Sequence, residues 1–155
     1  TRAETIHLTL AFIGDVPLDR LPALEQAARA VRGESFDLTL DCCGLWPHNH
    51  IFWAGCSSVP PALLALAADL RSALQASGFL VADSQRAFEP HVTLVRKVVQ
   101  RELPVPACSP MAWPCTNFVL VRSTLAVAGS SYRQLADFPL EGGMPPGIRP
   151  VESGS

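Results

Sequence analysis

Two runs of alternating character, IHLTLAFIG from Ile6 and EPHVTLVRK from Glu89, set the strongest limit on what this 155-residue chain can fold into. Each holds histidine, an apolar residue, threonine and leucine in that order, and their histidines lie 84 positions apart (91 minus 7). A period of two is the mark of a strand, so the fold has to find partners for both runs and house what lies between them. In the first run His7, Thr9 and Ala11 share one face, and Leu8, Leu10 and Phe12 the other. Gly14 to Pro17 breaks the run, and Asp19 is placed to cap a helix in which Leu21, Leu24, Ala28 and Val31 recur until Gly33. SFDLTLDCCGLW then reads as a strand, with HIFWAGC as its partner across the turn Pro47-His48-Asn49. A second helix follows Ser58, with Pro60 and Pro61 in its first turn and a stripe of Leu63, Leu66, Leu70 and Leu74 ending at Gly78. After the second run and a Pro-rich connector, Leu103 to Pro114, CTNFVLVRSTLAV and SYRQLADFPL form a last hairpin about Ala128-Gly129-Ser130.

Hairpins dominate the strand connections, which predicts an α+β fold of antiparallel sheets with helices on their outer faces. The repeated run suggests two related lobes within a single domain over residues 1–140. The tail EGGMPPGIRPVESGS, 141–155, is poor in apolar residues and is expected to be disordered. Hydrophobic residues make up 48% of the chain and charged residues 17%, which argues against disorder for most of the chain. No apolar run reaches the roughly 20 residues that cross a bilayer, and no leader is evident, so no membrane association is expected and the location is read as cytoplasmic. A net charge of −2 argues against coating long nucleic acid while admitting a small phosphate or an RNA end. Cys42, Cys43, Cys56, Cys108 and Cys115 are odd in number and lack C-x-x-C spacing, which reads as reduced structural thiols. The chain opens without methionine only a few residues before the first run, so the natural protein is expected to be longer at its N-terminus.

In a strand, residues i and i+2 point to the same side about 6.5–7 Å apart, so each run presents one imidazole and one hydroxyl together. If both runs face one cleft, two imidazoles are flanked by two hydroxyls. That set suits a phosphate ester: a neutral imidazole takes a proton from water, a protonated one gives a proton to the leaving oxygen, and the hydroxyls hold non-bridging oxygens. Histidine fits both roles because its ordinary pKa of about 6.5 keeps either form accessible. Arg96, three residues after Thr93, could clamp an anionic oxygen. Strict alternation puts it on the face opposite His91, so a bulge or the strand's end is required.

The runs HLTLAFIGDV and FEPHVTLVRK resemble the two signatures of the two-histidine phosphoesterase superfamily, and most closely its RNA 2′,3′-cyclic phosphodiesterase branch, also called 2′-5′ RNA ligases. GLWPHNHIFWAG and LVRSTLAVAGSSYRQLADFPL are similar to the family's central and closing hairpins, so the resemblance runs from Ile6 to Leu140. It implies a bilobal fold with a pseudo-twofold axis and a central cleft. It also implies hydrolysis of a terminal RNA 2′,3′-cyclic phosphate to a 2′-phosphate without metal or other cofactor, with reversible 2′-5′ ligation as a second capacity. The partner so implied is an RNA 3′ end carrying that phosphate, with no obligate protein partner. By position His7 matches the proton donor and His91 the proton acceptor, while Thr9, Thr93 and Arg96 match phosphate-binding residues. Two departures stand out: the strand and helix that usually precede the first signature are absent, and His48 and His50 stand where the family often has arginine.

Other readings compete. His48 and His50 could join His7 or His91 around a metal ion, although no carboxylate or cysteine sits at a convincing spacing. Trp46, Phe52, Trp53 and Trp113 could stack bases in a module that only binds RNA, but their place in strand-like alternation favours core packing. The same fold could also act on small cyclic nucleotide phosphates or 2′-5′ oligonucleotides. A cysteine nucleophile is disfavoured because nothing pairs Cys42 or Cys43 with a histidine.

Overall fold

The leucine stripe folds as its spacing predicts. Helix α2, Pro61–Ala76, buries Leu63, Leu66, Ala67, Leu70 and Leu74. Proline costs nothing at its start because first-turn N–H groups have no helical acceptor. Gly78, at φ +85°, turns the chain out of the helix, and the Phe79 N–H closes onto the Leu74 carbonyl at 3.0 Å. Helix α1, Leu21–Arg29, buries Leu24, Ala27 and Ala28. It grows out of a 3-10 turn over Leu18–Arg20 that contains Asp19, and no side chain caps it, so the cap expected of Asp19 is not made.

The computed structural model describes residues 2–99 and 107–142. SFDLTLDCCGLW, expected as one strand, forms two: β1, Phe36–Leu40, and β2, Cys42–Trp46. The break falls at Asp41, whose carboxylate accepts hydrogen bonds from the hydroxyl and the backbone N–H of Ser57. A side chain that bonds backbone locally competes with the ladder. The same Ser57 hydroxyl and N–H hold the Asp41 carboxyl below the usual carboxylate range. β2 pairs with β3, Ile51–Gly55, and β3 with β4, His91–Arg96. β1 pairs with β5, Met111–Cys115, which apart from Cys115 lies in the stretch read as a connector. Pro114 is tolerated there because in a two-stranded sheet every strand is an edge. β6, Asn117–Ala126, and β7, Gly129–Pro139, form the closing hairpin, turning at Val127 and Ala128, slightly before the expected position.

The α+β class with antiparallel sheets is as expected, with the described strands shared among three small sheets. Their apolar side chains fill two clusters, both fed by α2. One gathers Leu24, Leu66, Leu70, Phe118 and Phe138; the other gathers Leu38, Leu40, Leu63 and Val92. Of the expected tail, Glu141 is paired with Glu34 by a single bridge, and 143–155 lie outside the described residues. Among the described residues no helix is long and apolar enough to cross a membrane.

The first signature run departs most from expectation. Ile6 to Phe12 is not a strand: it makes one antiparallel bridge, Leu8 to Val92, between a 3-10 turn at Ala3–Thr5 and a bend at Leu10. The extended piece between turn and bend is too short for a ladder. Past the bend the alternation is lost, so Ala11 packs on the core while Phe12 is 62% exposed. What fastens the run is α2: Arg71 Nε donates to the Leu10 carbonyl at 3.3 Å, and its guanidinium lies 5.1 Å from the centre of the Phe88 ring, just ahead of the second run.

Candidate active site

The Leu8–Val92 bridge decides how the two signatures meet. In an antiparallel bridge the flanking positions also face one another, which sets His7 across from Thr93 and Thr9 across from His91. Val92 is 1% exposed and Leu8 packs on the same cluster, so both point inward. Alternation then turns His7, Thr9, His91 and Thr93 to the other side. His7 and Thr9 are exposed, and His91 and Thr93 half-buried.

The two imidazoles are tethered alike. His7 Nδ1 lies 2.7 Å from the Thr5 carbonyl oxygen and His91 Nδ1 lies 2.9 Å from that of Glu89, each two residues upstream. A carbonyl only accepts, so Nδ1 carries the hydrogen in both rings and Nε2 is left for chemistry. A tether of this kind fixes which nitrogen acts.

Arg96 joins this face through an irregularity. On β3 the partners run Gly55 to His91, Trp53 to Thr93, Phe52 to Val95 and Ile51 to Arg96, leaving Leu94 unpaired as a bulge. Cross-strand partners share a face, and Gly55, Trp53 and Ile51 alternate strictly. Arg96 is thereby rephased to the side of His91 and Thr93, where its exposed guanidinium can reach an anion.

Two neighbours were not singled out from the sequence as site residues. Trp46, opposite Ile51, sets its ring 4.6 Å from that of His91 at 74°, and Tyr132 on β7 sets its ring 5.1 Å from that of His7. Trp46 and Trp53 are half-buried on the site face and belong to neither core cluster, contrary to the core packing expected of them, whereas Trp113 does pack on the second cluster. Apolar residues occupy both faces of the β2–β3 hairpin, so alternation could not tell the core side from the open one.

The remaining candidates make no contact with His7 or His91 that parallels those of Trp46 and Tyr132. His50 Nδ1 is 3.1 Å from the Val98 carbonyl, and His48 stands 6.3 Å from Trp46, both exposed. Among the described residues no group of three or more His, Cys, Asp or Glu is arranged to hold a metal ion. Desolvation pushes the Cys115 thiol up to about 11 and raises Cys42, Cys43 and Cys56 as well, so none of these four is a ready thiolate. A surface hollow of about 360 Å³ beside Arg29, Gly33 and Leu140 contains no signature residue.

Comparison with known proteins converges on one group. The family model described as LigT like Phosphoesterase matches residues 1–53. A relative named RNA 2′,3′-cyclic phosphodiesterase from Escherichia coli (strain K12) is 35% identical over 133 residues, covering 86% of this chain and 74% of its own length. One of the same name from Geobacillus stearothermophilus is 34% identical over 152 residues, covering 90% of this chain and 46% of its own. The crystal structure of E. coli LigT complexed with 3′-AMP superposes with a TM-score of 0.82 at 34% identity, covering 90% of this chain and 79% of that one.

Proposed function

The chain belongs to the LigT-like phosphoesterase family, and we propose that it hydrolyses the 2′,3′-cyclic phosphate at an RNA 3′ end to a 2′-phosphate, using His7 and His91 as an acid–base pair. The observation that carries this is the Leu8–Val92 bridge, which sets two His-x-Thr runs side by side with both imidazoles tethered through Nδ1. The relatives' shared name supplies the substrate. His91 Nε2, unprotonated, takes a proton from water as its oxygen attacks phosphorus. The bond from phosphorus to O3′ breaks, and His7 Nε2–H delivers its proton to that oxygen. The assignment of donor and acceptor follows the family resemblance, since the Nδ1 tethers treat the two imidazoles alike. Thr9 and Thr93 hydroxyls donate to non-bridging oxygens, and Arg96 balances the charge that builds there. These groups complete the proton transfers by themselves, so no metal is required.

The direct test is incubation with an RNA ending in a 2′,3′-cyclic phosphate, in the presence of chelator, with the product's phosphate located. A 2′-phosphate is expected; a 3′-phosphate product, or dependence on added metal, would overturn the reading. Replacing Arg96 by alanine is expected to raise KM and lower kcat while the melting temperature holds, because one charge-assisted bond to phosphate is lost at an exposed strand end. Unchanged kinetics would return Arg96 to the solvated surface.

A further inference from the structure

Behind His91 stands a column of rings whose placement depends on two missing side chains. The Trp53 ring packs against Gly44, its partner on β2, and against Gly55, the residue opposite His91. A Cβ on Gly44 would fall 2.6 Å from Trp53 Cζ2, and one on Gly55 would fall 3.0 Å from Cζ3. Neither glycine has positive φ, so what they supply is space rather than backbone freedom. Trp46 rests on Trp53 at 5.3 Å between ring centres and meets the His91 imidazole at 4.6 Å. The buried Trp53 Nε1–H finds no acceptor among the described residues, a cost that is met while keeping the indole where it is.

The tether to Glu89 fixes one point of the His91 ring but leaves it free to swing about that bond. The Trp46 ring closes that freedom. We propose that Trp46 is the positioning residue of His91, holding the imidazole so that Nε2 faces the attacking water, and that Trp53, seated on Gly44 and Gly55, holds Trp46. His7 has a separate neighbour, Tyr132, and takes no part in this column. The inference rests on the acid–base reading above, in which His91 is the base.

The test compares pH profiles of kcat/KM for cyclic-phosphate hydrolysis. In Trp46→Leu the rising limb, governed by His91, should be displaced, because the half-buried ring that meets the imidazole is gone. The falling limb, governed by His7, should stay in place. The rate loss should fall on kcat, by roughly ten- to a hundredfold, as for a reacting group held off its line, with KM little altered. Trp46→Phe should restore most of kcat. Gly44→Ala, which touches neither histidine, should displace the same limb through Trp53, and it decides the matter if Trp46→Leu does not fold. Profiles in which both limbs move together, or a loss carried by KM, would overturn the inference. Failure of the underlying reading looks different: His91→Ala would then remain active whatever the tryptophan variants do.

Discussion

Removing either signature histidine is expected to cut the rate of cyclic-phosphate hydrolysis by on the order of 10²–10⁴, with the two losses distinguishable by pH and by leaving group. The unaltered enzyme should follow a bell, rising as His91 loses its proton and falling as His7 loses its own. His91→Ala should abolish the rising limb and His7→Ala the falling one. A substrate whose leaving group is far more acidic than a ribose hydroxyl needs little help from an acid. It should therefore rescue His7→Ala and leave His91→Ala slow. Rescue of the His91 variant instead would exchange the roles. Because both histidines serve the same step, one taking a proton as the other gives one, double replacement should add little to the worse single loss.

The second large effect falls on stability and should spare the chemistry. Phe138 is 4% exposed, stacks on Phe118 at 4.9 Å across the β6–β7 ladder and carries the Arg29 guanidinium 5.3 Å from its ring centre. Phe138→Ala removes a buried ring and leaves a cavity that helix α1 cannot close, at a cost of about 3–5 kcal/mol. For a chain of this size that lowers the melting temperature by on the order of 10 °C. Tyr132 belongs to the same strand but approaches His7, so the folded fraction of the variant should turn over at an unaltered rate. A calorimetric melt and an assay well below the transition check both halves; an unchanged melting temperature would place Phe138 outside the core.

The sequence was most readable where a long period had clear ends. The leucines of α2 repeat over four turns between proline and glycine, and the structure follows them. It was least readable where placement depends on a distant partner. The break at Asp41 needs Ser57, sixteen residues on, and β5 is a five-residue edge strand containing proline, a combination that reads as loop. The signature residues could be picked out because the same tetrapeptide pattern occurs twice, and the bridge between Leu8 and Val92 then brings the two occurrences together. Trp46 gives no such sign, since its contact with His91 follows from a hairpin register and a tryptophan's tilt.

The unpaired Leu94 also bears on which changes this strand can accept. Thr93 and Arg96 are an odd number of positions apart, and in a regular ribbon odd separations are never seen from the same side. One surplus residue corrects the parity. What is constrained there is a count and not a chemistry: another apolar side chain at 94 keeps the phase, whereas shortening the segment by one residue would send the guanidinium to the far side with every named group still present in the sequence. A substitution scan would read that position as core packing alone, because Leu94 lies against the second cluster, and only a scan of insertions and deletions would find its role in the phase.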